Sequence, residues 1–325
     1  MLIDGKLLAA KILEDLRKRV ENLSNGKNIT PHLGVIVVGE DPATASYVRQ
    51  KKKMGEQIGG TVSVYNYPDS IGQSELEHNI DFLQKEGDLD GLIIQLPLPK
   101  QLNEEELTNR VDKDKDVDGF REDSEFDEPI AIAVIRILEE IYDLEQEKPA
   151  EKRIGNTERE VKGDERGRAP DNAQATTGAN IDGRETIGRP LNDFRTWLKA
   201  QKVVVMGKGK TGGKPILTIM KKYGVEPTIV DSKTQNVSEI TQTADILVCA
   251  VGGQGTIVNE SMIKKDAILI AIGMSLGADG KLHGDYEPEE IADKASYYTP
   301  VPGGVGPVNA AMLLVNVVDA AEKNS

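Results

Sequence analysis

Two α/β domains, each a parallel sheet between layers of helix, are the architecture that this sequence of 325 residues predicts. Three observations lead there. Short continuous apolar runs recur along the chain, as in strands buried on both faces. Segments with apolar residues at helical spacing separate them. The alternation runs twice, before and after one long hydrophilic stretch, and the length suits about two domains.

In chain order, LLAAKILEDLRKRVENL has helical spacing, and LGVIVVG (33–39) reads as a buried strand. ATASYVRQKKKMGEQIG (43–59) reads as a helix ending in glycine, and TVSVYNY (61–67) as a strand by its alternation and β-branched content. SELEHNIDFLQKEG is a further helix, GLIIQLP (91–97) a strand and EEELTNRV a helix. The second run begins near Leu198 with the strand VVVMG (203–207) and the helix KPILTIMKKYG. The strand PTIVDS, the helix VSEITQTA and the strands DILVCAVG and AILIAIGM follow. The final segment, 309–323, is a helix whose Ala311, Leu314, Val315 and Val318 share a face. Between the two runs, residues 144–190 are rich in charge, Gly, Asn and Thr and nearly empty of large apolar side chains. Such a stretch cannot bury enough surface to offset its ordering entropy, so it reads as a disordered, solvated insertion. The expected division is a first domain over 1–143 completed by 308–325, the insertion over 144–190, and a second domain over 191–307.

The bulk properties remove several function classes. A net charge of −14 argues against a broad nucleic-acid or anionic-membrane surface, while leaving room for a local basic pocket. One cysteine excludes an intrachain disulfide, and Cys249, inside DILVCAVG, reads as a small buried hydrophobe rather than a nucleophile. No continuous apolar stretch approaches the ~18–20 residues of a membrane span. The first residues carry acids and no cleavage pattern, so a cytoplasmic protein is expected. No metal site is expected.

The stretch GKGKTG, Gly207–Gly212, follows a strand and admits two templates. The triphosphate loop G-x-x-x-x-G-K-[ST] fails: Gly213 stands where its lysine belongs, Lys214 comes one place late, and Pro215 replaces the metal-binding hydroxyl. The dinucleotide pattern G-x-G-x-x-G fits at Gly207, Gly209 and Gly212, with strand before, helix after, and Asp231 at the end of the next strand. A carboxylate there accepts from the adenosine ribose hydroxyls and repels a 2′-phosphate, favouring NAD over NADP. The second domain is therefore expected to be of the Rossmann type, with Gly207, Lys208, Gly209, Gly212, Gly213, Asp231, Ser232, Val251 and Gly252 as cofactor-binding candidates.

Three stretches of the first domain place polar residues at strand ends or on a helix face. Tyr47 and Lys51 lie four apart in SYVRQK, so they share a face. Gln95 ends the apolar strand of IIQLPLP, where a buried amide needs partners. DKDKDVDGF puts Asp116 and Asp118 on a turn, where a carboxylate could hold an amino-heterocycle bidentately. Together with TPVPGGVGP near the end, these stretches resemble the methylenetetrahydrofolate dehydrogenase/cyclohydrolase family in both motif and order.

The resemblance implies specific roles. Lys51 would assist proton transfer and hydrolysis at the one-carbon bridge, and Gln95 would hydrogen-bond and tune it. Tyr47 would pack on the aminobenzoyl ring, and Asp118 would bind the pterin. Leu96, Pro97, Pro302, Gly303 and Gly304 would complete the substrate site, the Pro300–Pro307 segment lining a cleft beside the nicotinamide. The last helix would return to the first domain, and a homodimer would form through the nucleotide domains. The chain would oxidise 5,10-methylenetetrahydrofolate with NAD or NADP and hydrolyse the methenyl product to 10-formyltetrahydrofolate.

Departures from the family pattern keep other readings open. DEPIAIAVIRIL keeps only Pro129 of a Pro-Cys-Thr-Pro-like stretch, and REDSEFDE lacks the usual Asn-and-Gly pattern. Lys208, Gly209 and Gly212 stand where the family has Arg, Ser and Val, and Asp231-Ser232 replaces a His-Ser pair. Val308-Asn309 replaces Met-Thr. A dehydrogenase or cyclohydrolase alone, or a non-catalytic folate- or dinucleotide-binding homologue, are the alternatives. The intact set of Tyr47, Lys51, Gln95 and Asp118 favours an enzyme with both activities.

Overall fold

The computed structural model describes residues 1–86, 88–148, 191–253 and 255–324. Most of the expected 144–190 insertion lies outside the described residues. The chain divides into two compact units: Asp4–Ile135 with Thr299–Ser325, and Met1–Ile3 with Arg136–Tyr298.

The first unit begins with α1 (Gly5–Lys27), whose N-cap Asp4 accepts from the N–H groups of Lys6 and Leu7. β1 (His32–Val38), α2 (Pro42–Gln57), β2 (Thr61–Tyr67), α3 (Gln73–Glu86), β3 (Gly91–Ile94) and α4 (Glu104–Arg110) follow. The sheet order is β2-β1-β3, all parallel. β1 and β3 are buried almost throughout, which accounts for their unbroken apolar runs. Leu76 and Ile80 of α3 and Leu107 of α4 pack with Ile36, Leu92 and Ile94 into one core.

α10 (Val305–Lys323) completes this unit, packing on α1 and reaching β1 and β3. It starts earlier than the expected 309 and is buried around most of its circumference, with Met312, Leu313 and Val317 inside as well as the expected face. Among the described residues it is the helix long and apolar enough to cross a membrane by length and composition, and its burial marks it as a core helix. Arg19 of α1 grips its polar edge at Asp319 and Glu322, both at 2.6 Å. Asn316, only 3% exposed in the middle of this apolar helix, donates to the carbonyls of Val117 and Asp127 at 2.8 and 3.0 Å. It thereby pins both flanks of the turn that carries Asp118.

α5 (Pro129–Glu147) leads the chain out of the first unit. It runs past the expected domain boundary at 143, so residues 144–147 are helical. The second unit contains α6 (Leu191–Ala200), β4 (Val203–Met206), α7 (Gly213–Lys222), β5 (Thr228–Val230), α8 (Val237–Thr241), β6 (Ile246–Cys249) and β7 (Ile268–Ala271). After these come the antiparallel hairpin β8 (Met274–Leu276) and β9 (Leu282–Gly284), then α9 (Pro288–Ile291) and β10 (Tyr297–Tyr298). The main sheet is parallel in the order β10-β7-β6-β4-β5. Connections leave the middle strand pair β6 and β4 in opposite directions, which opens a crevice at their carboxyl ends. Cys249 is fully buried at the end of β6, as its apolar setting predicts. Four aromatics in a chain poor in them, Tyr142, Phe194, Trp197 and Tyr223, form one cluster with ring centroids 5.5–6.0 Å apart.

Candidate active site

Lys51 sits on the third turn of α2 and is half-buried, whereas its neighbours Lys52 and Lys53 are exposed. The run of three lysines is therefore one inward group and two solvated ones. The Lys51 ammonium donates to Gln95 Oε1 at 2.9 Å. Gln95 follows β3 directly, and its own N–H donates to the carbonyl of Ile36 at 2.9 Å, continuing the ladder with β1. Its amide nitrogen donates to the carbonyl of Leu96 at 3.0 Å. Both ends of the amide are thus fixed, and its oxygen is held toward the lysine. Leu96–Pro97 and Val301–Pro302 are cis peptides.

Burial pushes the Lys51 amine below the ordinary lysine range, with Asp118 pulling the other way. Burial likewise pushes the Asp118 carboxyl up, opposed by Lys51. The two groups therefore act on one another electrostatically in a poorly solvated environment, each favouring the charged form of the other. A lysine with a depressed proton affinity can take up and return a proton near neutral pH.

The two aspartates of DKDKDVDGF part company. Asp116, 2% exposed, accepts from the N–H groups of Phe120 and Arg121, at 3.3 and 2.9 Å, and closes the turn. Burial pushes its carboxyl up to about 6. Asp118 is the one whose charge acts on Lys51. Gly119 takes φ +67, and a side chain there would meet the backbone of Phe126 and Asp127, so the turn needs glycine.

Tyr47, one helical turn before Lys51, is 40% exposed and leaves a ring free for a ligand's aromatic face. Pro302 is exposed, Gly303 partly so and Gly304 buried, on the loop that leads into α10. A Cβ on Gly5 would overlap the Gly304 carbonyl, so the loop rests directly on the first turn of α1. The altered PIAIA segment forms the first turns of α5, where Ala131 and Ala133 are buried.

In the second unit the glycine turn joins β4 to α7. Gly207 has φ +89, donates to the carbonyl of Val230 at 2.8 Å, and lies so close to Ala250 that a Cβ would strike its carbonyl. A Cβ on Gly213 would overlap the carbonyl of Gly207. Around Gly209 nothing lies within 4 Å of where a Cβ would stand, so that glycine borders open space rather than packed chain. A Cβ on Gly212 would stand in ordinary contact with the Ala250 side chain, at 3.4 Å, so the tighter position of the two is Gly213. No side chain caps α7. The Gly209 carbonyl accepts from the N–H groups of Gly212 and Lys214, at 3.3 and 3.0 Å, and the backbone of the turn, free of Cβ atoms, suits the close approach of a pyrophosphate.

Asp231 ends β5 as expected, and Lys208 reaches it at 2.6 Å. Asp231 also accepts from the Lys233 N–H and the Thr234 hydroxyl. The hydrogen bond from Lys208, then those from Lys233 and Thr234, hold its carboxyl down to about 2. Ser232 beside it is exposed. The N–H groups of Val251 and Gly252 are both taken by the Asp285 carboxylate, at 3.0 and 2.9 Å. Two contributors escaped the sequence reading: Asn316 and Asp285. The signal for Asn316 was an amide inside the apolar run AAMLLVNVVDAA. Asp285 offered none, since GDYEP reads as a turn.

Two family profiles match the chain. The tetrahydrofolate dehydrogenase/cyclohydrolase catalytic domain matches residues 3–118, and the NAD(P)-binding domain of the same family matches 185–325. The chain belongs to the tetrahydrofolate dehydrogenase/cyclohydrolase family. It is 33% identical to the bifunctional protein FolD of Ligilactobacillus salivarius, over 99% of this chain and 97% of that one. It is 34% identical to the FolD of Thermodesulfovibrio yellowstonii, over 99% and 96%. The crystal structure of FolD from Campylobacter jejuni superposes with a TM-score of 0.80 at 28% identity, covering 100% and 99% of the two chains. Both domains of the family are thus in place, and with them the dehydrogenase and cyclohydrolase activities and the nicotinamide dinucleotide cofactor.

Proposed function

We infer that Lys51 is the proton-transfer group with which this folate dehydrogenase/cyclohydrolase hydrolyses 5,10-methenyltetrahydrofolate to 10-formyltetrahydrofolate. The observation that carries this reading is the buried Lys51 amine, fixed by Gln95 at 2.9 Å and set against Asp118. Water adding to the methenyl carbon must lose a proton, and the ring nitrogen that leaves must gain one. A neutral amine beside that carbon can do both in turn. Asp118 would bind the pterin and Tyr47 the aminobenzoyl ring, with Leu96, Pro97 and Pro302–Gly304 shaping the site.

The preceding oxidation asks less of the protein. The ring nitrogens of the folate stabilise the cation left when the methylene carbon gives up its hydride, so positioning suffices. The oxidised nicotinamide, when bound, supplies the hydride acceptor. Gly207, Gly209, Gly212 and Gly213 would hold the pyrophosphate. The assay is purified protein with 5,10-methylenetetrahydrofolate and either cofactor, following reduced nicotinamide and methenyl absorbance. Absence of turnover with both cofactors would overturn this reading.

NAD is the cofactor we assign. Asp231 is ionised throughout the working pH range and would accept from the ribose hydroxyls. Lys208 moderates its repulsion of a 2′-phosphate without removing it. Asp231→Ser should raise kcat/KM for NADP relative to NAD by about tenfold, a modest part of what close like charges cost. An unchanged ratio would take the preference away from Asp231.

A cytoplasmic homodimer is the assembly we propose. Its support is the β8–β9 hairpin of the nucleotide-binding unit, which exposes Met274, Leu276 (73% exposed) and Leu282. Such a group on a short antiparallel ribbon suits a self-complementary contact. Leu276→Asp should sediment as a monomer where the parent sediments as a dimer. A parent that is itself monomeric would refute the assignment.

A further inference from the structure

The connection after β6 is fastened at both ends by one residue. Asp285, 1% exposed, accepts from the Gly252 N–H at Oδ1 and from the Val251 N–H at Oδ2. Its own carbonyl accepts from the N–H groups of Ile257 and Val258, at 2.8 and 2.9 Å. Among the described residues no cation pairs with it. A buried carboxylate without a counter-ion is costly unless donors converge on it, and here two successive main-chain N–H groups form the concave seat that usually receives an external anion.

The fastening has a direction. In a trans peptide the N–H and the preceding carbonyl point opposite ways. With the Val251 and Gly252 N–H groups turned in to Asp285, the carbonyls of Ala250 and Val251 turn outward. The Ala250 carbonyl abuts Gly207 of the glycine turn. Gly252 and Gly253 hold φ +62 and +70, so the chain bends sharply just there. The segment therefore stands beside the glycine turn at the carboxyl ends of adjacent parallel strands, where a dinucleotide lies. It offers the cofactor carbonyl acceptors rather than N–H donors.

We propose that Asp285 is a positioning residue for the dehydrogenase: it fixes the Val251–Gly252 backbone so that its carbonyls meet a donor group, hydroxyl or carboxamide, on the nicotinamide half of the dinucleotide. This rests on the cofactor site proposed above. Asp285 itself touches no ligand.

The test uses the whole chain. In Asp285→Asn one acceptor oxygen becomes a donor facing an N–H, and in Asp285→Ala both acceptors go. The KM and Kd for the dinucleotide should rise about tenfold in the first and further in the second. The kcat at saturating cofactor should change much less, and methenyl hydrolysis, which uses Lys51, Gln95 and Asp118 of the other unit, should stay within twofold. Gly273→Ala is the second route if those variants fold poorly. A Cβ there overlaps the Asp285 carboxylate and should displace it with the same result. Unchanged cofactor Kd in Asp285→Asn, or loss of both activities in parallel with melting temperature, overturns the proposal. The failure of the cofactor site itself is separate: it would appear as full cofactor binding by Gly213→Ala.

Discussion

Lys51→Ala should lower methenyl hydrolysis by about 10²–10⁴-fold, the range for losing a positioned proton-transfer group. Methylenetetrahydrofolate oxidation should fall much less, because hydride loss to the nicotinamide needs no acid or base. The split between the two activities separates lost chemistry from lost folding, since a misfolded first unit loses both. The pH profile carries a second sign. The amine must be unprotonated to accept a proton, so hydrolysis should rise with pH and level off below the ordinary lysine pKa, following the downward push of burial. Asp118 pulls against that push, so in Asp118→Asn the midpoint of the residual activity should move further down. Hydrolysis by Lys51→Ala within about threefold of the parent would end the role given to this residue.

The second large effect is expected at the glycine turn. In Gly213→Ala the new methyl overlaps the Gly207 carbonyl, a backbone atom that cannot rotate away. Either the turn opens or α7 shifts, and both spoil the seat for a pyrophosphate. Overpacking of this kind costs up to about 3 kcal/mol, which is about 150-fold in a binding constant. Dinucleotide binding and oxidation should fall by that order while methenyl hydrolysis persists. Gly209→Ala, where the surrounding space is open in the free protein, should leave the melting temperature unchanged, so it separates a packing clash within the chain from one with the cofactor. Equal cofactor affinity in Gly213→Ala and the parent would show that the turn does not hold the cofactor.

Much of the fold was legible because parallel strands are buried on both faces and so read as unbroken apolar runs: LGVIVVG, VVVM and ILVC all became strands. The β8–β9 hairpin was not legible, since three-residue strands with Met274 and Leu276 in solvent have neither length nor alternation to announce them. α5 outran its expected boundary because LEQE, read with the hydrophilic stretch, is also good helix sequence. At the site, the Lys51–Gln95 pair was legible through family-like motifs. The separation of Asp116 from Asp118 was not, because it depends on which carboxylate finds the Phe120 and Arg121 N–H groups. The Lys208–Asp231 ion pair joins residues 23 positions apart, and the Asn316–Val117 hydrogen bond joins residues 199 apart. Local pattern can mark Asn316 as an amide in need of partners, but it does not say which partners Asn316 or Asp231 finds.

The Asn316 hydrogen bonds set an order of events during synthesis. The turn bearing Asp118 is made early, yet the amide that holds it arrives only after the whole dinucleotide-binding unit has been translated. Until then β1, β3 and α1 lack the helix that covers them, and their apolar faces stay open to water. The nucleotide-binding unit, by contrast, consists of Met1–Ile3, already made, and the continuous stretch Arg136–Tyr298, so it can form as it emerges. The unit that holds Asp118 is therefore completed only after the dinucleotide-binding unit lying between its two parts of the chain has been made.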